Sequence, residues 1–364
     1  MMERASEREP ARVAAIDFVR GLVMVLMTLD HASSAFNGGR LMVDSAAMFR
    51  ADMVLDPLQF VVRWVTHLCA PTFVLLAGVS LALSVARRQR DRMAAWRIDR
   101  DILIRGTLLV GLDAAWMGWM WRFGPPIQLG VLYAIGVSMI GLIVVRRLPP
   151  AVVAVLGILI MTAGEAVTSQ LDPASPLVAA TLTGGRIGAA YILYPFLPWT
   201  GFLLIGWALG TRLARSGMRA RDWLALAAIA AVTFAVVRGV NGYGNAHLLR
   251  RDGAWIEWLH VSKYPPSLSY AALELAIAFA LLALAWRATR LWRPLILLGQ
   301  TALFYYLLHA HLLHVTAAVL GVHRALGLGA VGLAWLAALV VLYPACRWYL
   351  GVKRRHPTSV LRFV

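Results

Sequence analysis

The sequence predicts an all-α, polytopic integral membrane protein of about ten transmembrane helices with both termini on the cytoplasmic side. Three observations carry this reading. Of the 364 residues 60% are hydrophobic and only 15% are charged, and the mean hydropathy is +0.70, a balance foreign to soluble domains. The apolar residues gather in runs of about 20, the length that crosses a hydrocarbon core roughly 30 Å thick. Backbone groups in that core must pair internally, so the runs are helical, and no weak alternation suggests a barrel. The third observation is that basic residues crowd alternate connections between the runs.

The spans are expected at residues 14–36, 58–86, 102–121, 127–145, 151–168, 191–211, 222–240, 267–286, 294–317 and 326–350. With the N-terminus inside, the cytoplasmic side holds Arg4, Arg8 and Arg12, the arginines from Arg87 to Arg105, and Arg146 with Arg147. It also holds the Arg212–Arg221 group, Arg287–Arg293 and the tail from Arg347 to Arg362, together the larger share of the 35 Lys and Arg. That bias sets the orientation, and an odd number of spans would leave one basic terminus outside. Residues 1–12 then form a cytoplasmic tail, 13–350 a single transmembrane domain and 351–364 a basic tail. The first run lacks a small-residue cleavage site and is long enough to remain as a span.

Two outer connections are long, 37–57 and 241–266, and both mix polar with aromatic residues, as a pocket facing outward would. Trp116, Trp119 and Trp121 fit an interfacial aromatic belt. The segments "PTFVLLAGVSLALSVARR" and "PWTGFLLIGWALGTRLAR" echo each other as a weak parallel repeat, and no inverted repeat of the transporter kind stands out. The net charge of +17 does not point to nucleic acid, because the basic residues sit in short loops without interleaved stacking aromatics. Cys69 and Cys346 fall in apolar runs and read as small core residues.

Ionisable groups inside the spans are costly and mark functional interiors. The first span, "IDFVRGLVMVLMTLDHASSAF", has Asp17 and Arg20 near its start and Asp30 and His31 near its end. At 100° per residue, Arg20 and His31 fall within about 20° of one face and roughly 16 Å apart along the axis. Asp17 lies on the same side. A guanidinium suits a phosphate or carboxylate, and an imidazole is the best proton acceptor at neutral pH. The plainer alternative is an Asp17–Arg20 ion pair capping the helix and a His31 satisfied by a neighbour. Span two begins with Arg63 and His67, and span three carries Arg105 and Asp113. Span nine reads "FYYLLHAHLLH", in which Tyr305 and His309 share a face while His309 and His311 point apart, poor geometry for a metal. No metal is expected. Glu165 and Glu274 read as structural. Inner arginines below outer histidines suit a long donor with a polyanionic head and a reactive tip, the shape of an acyl-coenzyme A.

The segments "AAIDFVRGLVMVLMTLDH", "HLCAPTFVLLAG", "YPFLPWTGFLLIGWALG", "KYPPSL" and "GQTALFYYLLHAHLLH" resemble bacterial members of the heparan-alpha-glucosaminide N-acetyltransferase catalytic-domain family, from residue 12 to about 317. Arg20 and His31 also match the Arg-ten-residues-His pattern of the wider transmembrane acyltransferase group, which includes O-acyltransferases of surface polysaccharides. The resemblance implies transfer of an acetyl group from cytoplasmic acetyl-CoA to an amino sugar, or another glycan acceptor, across the cell's inner membrane. It also implies a catalytic histidine in the first outer loop, but residues 37–62 contain none, so that role passes to His31 or His67, or the chemistry differs. On this reading His31 is the general base or a transient acyl carrier, and Asp30 tunes its field. His67 or Asp113 orients the imidazole, and His309 with Tyr305 contacts the thioester oxygen. Arg20, Arg105 and Asp17 form the coenzyme A end. O-acylation, transport of a glycan precursor or small anion, and a silent partner subunit remain as rivals, and a homo-oligomer is left open.

Overall fold

A computed structural model describes residues 8–50, 52–118, 127–172, 175–288, 290–356 and 359, with side chains from residue 14 onward. The centre is α1 (Arg8–Phe36), whose Val19, Val23 and Met24 are fully buried. It begins a chain of helices that fold back around it: α2 (Pro57–Val65), α3 (Cys69–Arg90), α4 (Ala95–Leu112), α5 (Val131–Val145) and α6 (Pro150–Thr168). After a helical turn, α7 (Pro176–Val178), come α8 (Phe196–Ser216), α9 (Ala220–Val240), the short α10 (Trp255–Leu259) and α11 (Leu268–Arg287). The chain closes with α12 (Arg293–Gln300), α13 (Ala302–Val319) and α14 (Leu328–Arg355). Helices α3, α11, α12, α13 and α14 all pack on α1.

Among the described residues six helices are long and apolar enough to cross a membrane: α2–α3 taken together, α6, α9, α11, α13 and α14. The other expected spans are also helical, but α1 and α4 carry more charge and α5 has only 15 residues. Trp119 and Trp121 lie outside the described residues. Trp116 is exposed and donates its indole N–H to the Leu307 carbonyl at 2.8 Å.

Two spans expected to be continuous are broken. In the second, Pro71 has no N–H to offer the His67 carbonyl, and the Tyr270 hydroxyl donates to that carbonyl instead, at 3.0 Å. Thr66 adds to the break by returning its hydroxyl to the Arg63 carbonyl at 2.7 Å. The ninth breaks at Thr301, which separates α12 from α13 and donates its hydroxyl to Leu297 O at 2.9 Å. The all-α expectation needs one correction. Strands β1 (Ile127–Leu129), β2 (Gly185–Ile187) and β3 (Ala190–Ile192) form a small sheet in the order β1-β3-β2 at the heads of α5 and α8. They pair a parallel edge with a hairpin. Three-residue strands are too short to leave a period-2 signal.

The two echoing segments are neighbours, since α3 and α8 run side by side in parallel. Contact is so close that a Cβ on Gly206 would sit 2.0 Å from the Leu75 carbonyl oxygen, so only glycine fits. The long connections 37–57 and 241–266 meet over the end of α1, where Val43, Leu55 and Phe60 pack with Leu259 and Ile256. The 320–327 connection joins them there, through Arg324 N to Ala35 O and Leu326 N to Phe36 O. This gathers the loops at the His31 end of α1.

Candidate active site

A cavity of about 530 Å³ runs through the bundle, within the roughly 300–1,000 Å³ usual for small-molecule sites. Arg20 and His31 both line it, as their shared helix face requires. Between them the wall is largely apolar, including Met27, Phe73, Leu81, Leu109 and Ile135.

At the Arg20 end three cations converge: Arg20, Arg105 and Lys353. Arg20 is braced by Asp17 at 2.8 Å, by the Ser80 hydroxyl at 2.5 Å and by the Gly299 carbonyl at 3.2 Å. The last contact depends on α1 and α12 crossing with their backbones touching. A Cβ on Gly299 would sit 1.9 Å from Asp17 O, and one on Gly21 would sit 1.8 Å from Leu295 O. Asp17 is buried and does not line the cavity, so it holds Arg20 rather than meeting a ligand. The buried Nε of Arg105 has no hydrogen-bond partner among the described residues. An orphaned guanidinium donor beside two further cations fits a polyanion such as a coenzyme A phosphate. Lys353 belongs to this cluster although the sequence marked it only as part of a basic tail.

At the other end, His31 Nδ1 lies 2.7 Å from His309 Nε2, with the rings stacked at 4.8 Å. His309 Nδ1 lies 3.0 Å from the Tyr305 carbonyl, which can only accept, so Nδ1 of His309 carries the proton. In the neutral dyad Nε2 of His309 therefore accepts from Nδ1–H of His31. That fixes His31 in the tautomer whose Nε2 is the basic atom. The expected orienting groups are elsewhere. His67 donates Nε2–H to Asp44 Oδ1 at 3.0 Å. Asp113 lines the cavity, but its Oδ2 caps α5, accepting from the Gly130 and Tyr133 amides at 2.7 Å each. His309 is fully buried behind His31 and is not a wall residue. Tyr305 is also turned away, with its hydroxyl 2.6 Å from that of Thr28, and the neighbouring Tyr306 lines the cavity in its place. Neither His309 nor Tyr305 is placed to contact a thioester oxygen directly.

Asp30 lines the cavity inside an ion-pair network. Its Oδ1 accepts from Arg63 at 2.5 Å, from Arg40 at 2.8 Å and from Thr66 at 3.0 Å. Arg63 also binds Asp44 through Nε at 2.8 Å and through Nη2. Burial by itself would raise the Asp44 pKa, but Arg63 and His67 beside it hold the carboxyl well below the usual range. The network pins loop 37–56 to α2, and sequence reasoning, which looked only along helices, missed Asp44 and Arg40. Glu165 is structural, with Oε2 accepting from Gly244 N at 2.8 Å and Ala246 N at 3.0 Å. His311 turns the other way from His309, bonding Leu307 O at 2.8 Å and Trp116 O at 3.0 Å. Among the described residues no three His, Cys, Asp or Glu side chains surround a common point.

Residues 12–242 match the family model described as heparan-alpha-glucosaminide N-acetyltransferase, catalytic. The chain belongs to that family. The match takes in Arg20, His31, Asp44, Arg63 and Arg105, and stops short of Lys263, His309 and Lys353. Membership makes the chain a membrane acetyltransferase by type and, with its apolar helices, a multi-pass membrane protein. No curated protein matches the chain.

Proposed function

We propose that the chain is a ten-span acetyltransferase of the cell's inner membrane, with both termini cytoplasmic. On this reading it moves an acetyl group from cytoplasmic acetyl-CoA to an amino sugar of a glycan at the outer face. The single observation that carries the proposal is the continuity of the cavity from Arg20, Arg105 and Lys353 to His31. Rising roughly 16 Å along α1, the distance suits a donor held by its phosphates whose long thin arm threads the Met27–Leu109 stretch. The charge bias of the connections supports the orientation that opens the cation cluster to the cytoplasm.

In the transfer, the acceptor nitrogen attacks the thioester carbon and the carbon–sulfur bond breaks. His31 Nε2 takes the proton from nitrogen and returns it to the departing sulfur, so an amide and a free thiol leave. His309 holds the His31 ring and tautomer from behind, much as a buried hydrogen-bond acceptor does for any catalytic imidazole. Asp30, already clamped by Arg40 and Arg63, contributes charge to the surroundings and no proton. A hydroxyl acceptor would use the same base, which keeps O-acylation as the second reading.

The test is to incubate purified protein with labelled acetyl-CoA, with and without glucosamine-ended glycans. Acceptor-dependent CoA release and labelled amide are expected, and His31→Ala should remove both while leaving CoA binding intact. A folded His31→Ala variant with full transfer would refute the assignment of the base.

A further inference from the structure

All but two of the 35 basic residues are arginines, and the two lysines, Lys263 and Lys353, both line the cavity, one near each end. Lys353 joins the phosphate cluster. Lys263 is the less expected of the two. It stands in the "KYPPSL" segment, is only 3% exposed and faces the cavity. Among the described residues no hydrogen bond or ion pair reaches its ammonium, whose described contact is the ring of Tyr264 beside it, 5.3 Å away.

Its location follows from a chain of bonds. Lys263 N donates to the Asp44 carbonyl at 2.8 Å, Asp44 binds Arg63, and Arg63 binds Asp30, the residue before His31. The ammonium is therefore at the His31 end. Asp30 and Asp44 cannot neutralise it directly, because Arg40 and Arg63 already occupy them. The buried carboxyl of Glu274 on α11, which feels the Lys263 charge and has no hydrogen-bond partner among the described residues, stands beyond ion-pair distance. An unpaired buried cation is expensive to keep in a fold. A fixed anion on an acceptor arriving from the loop end would first meet Arg324, which is exposed at the cavity edge. Lys263 is only 3% exposed and lies deeper, where no fixed anion forms an ion pair with it among the described residues and where the charge of a reacting carbonyl would develop.

We propose that Lys263 is a catalytic residue that stabilises the oxyanion formed on the thioester carbonyl. As the acceptor lone pair bonds to carbon, the carbonyl π pair moves to oxygen. The ammonium then faces a full negative charge, which disappears when the carbonyl re-forms and the sulfur departs, taking its proton from His31. Lysine suits this better than arginine, since a compact point charge needs no planar partner and fits a narrow wall.

The inference rests on the acetyl-CoA reading, so the test separates the two. Binding of S-ethyl-CoA, which is neutral at the acyl position, is compared with carboxymethyl-CoA, which carries a carboxylate there. Wild type should bind the carboxylate analogue at least tenfold more tightly. Lys263→Met should abolish that preference while keeping S-ethyl-CoA affinity, which also shows that the variant is folded, and should lower kcat by roughly 10²–10³-fold. Lys263→Arg should keep part of the preference. Equal binding of the two analogues by wild type would overturn the role of Lys263 and leave the donor reading standing. If neither analogue binds wild type, the donor reading fails and takes this one with it. A raised KM for anionic acceptors at unchanged kcat would also refute it, by making Lys263 an acceptor anchor.

Discussion

Replacing Gly299 by alanine tests whether the crossing of α1 and α12 holds the cation end of the cavity in shape. The added Cβ would lie 1.9 Å from Asp17 O, and ordinary contact begins near 3.4 Å, so α12 must retreat by about 1.5 Å. The Arg20 Nη1 bond to Gly299 O, now 3.2 Å, then passes out of reach. A hydrogen bond from a charged donor is worth roughly 1.5–3 kcal/mol, and forced separation of packed backbones costs roughly 1–3 kcal/mol more. Arg20 keeps Asp17 and Ser80 but loses its third brace, so its aim into the cavity is relaxed. Because about 1.4 kcal/mol is tenfold in Kd, CoA affinity should fall by roughly ten- to a hundredfold. Calorimetric titration with CoA measures the affinity, and thermal unfolding in the same detergent measures the stability cost. Gly332→Ala, where the added Cβ meets nothing within 4 Å, is the control and should change neither. Wild-type affinity and melting temperature in Gly299→Ala would refute the close-crossing argument.

Three further outcomes follow from the site. His309→Phe removes the acceptor for His31 Nδ1–H and should lower kcat by roughly 10–100-fold with acetyl-CoA affinity unchanged, while His309→Gln, which can still accept, should recover part of the rate in a CoA-release assay. Arg105→Met removes an orphaned guanidinium and should weaken CoA by about tenfold in the same titration, with a smaller effect for an analogue stripped of phosphate. Asp44 is held below its unfolded pKa, so its pairing supports loop 37–56 at any pH above the ordinary carboxylate value near 4 and is lost only as acid approaches the depressed folded value. Cleavage within that loop by a protease chosen for each pH should stay slow from pH 8 to about 5, and Asp44→Asn should make it fast at pH 7.

The parts of this molecule that were legible in the sequence are those fixed by helical geometry alone. Arg20 and His31 share a cavity wall because eleven residues bring an α-helix back to nearly the same face. His309 and His311 diverge for the same reason. What the sequence hid depends on contacts between segments far apart in the chain. His309 was visible as a site residue, but its place behind His31 is set by how α13 packs on α1 after the break at Thr301. Asp44, Arg40 and Lys263 sit in connections, where charges usually mean solvent or orientation, and only the folding of those connections over α1 brings Arg40 and Lys263 to the cavity wall and Asp44 onto Arg63 behind it. Lys353 was masked in the same way by the basic tail around it. Pro71 was in plain view as a helix breaker, yet the hydroxyl that compensates for it comes from Tyr270, 203 positions from the carbonyl it caps.

The most direct test is a cryo-electron microscopy structure of the full chain in lipid nanodiscs with bound S-ethyl-CoA. The nucleotide phosphates should lie within hydrogen-bond reach of Arg20 and Arg105, and the ethyl group should end beside His31 Nε2. Coenzyme A bound elsewhere on the protein, or a lipid chain filling the space between Arg20 and His31 in the presence of saturating ligand, would contradict a donor path through the bundle.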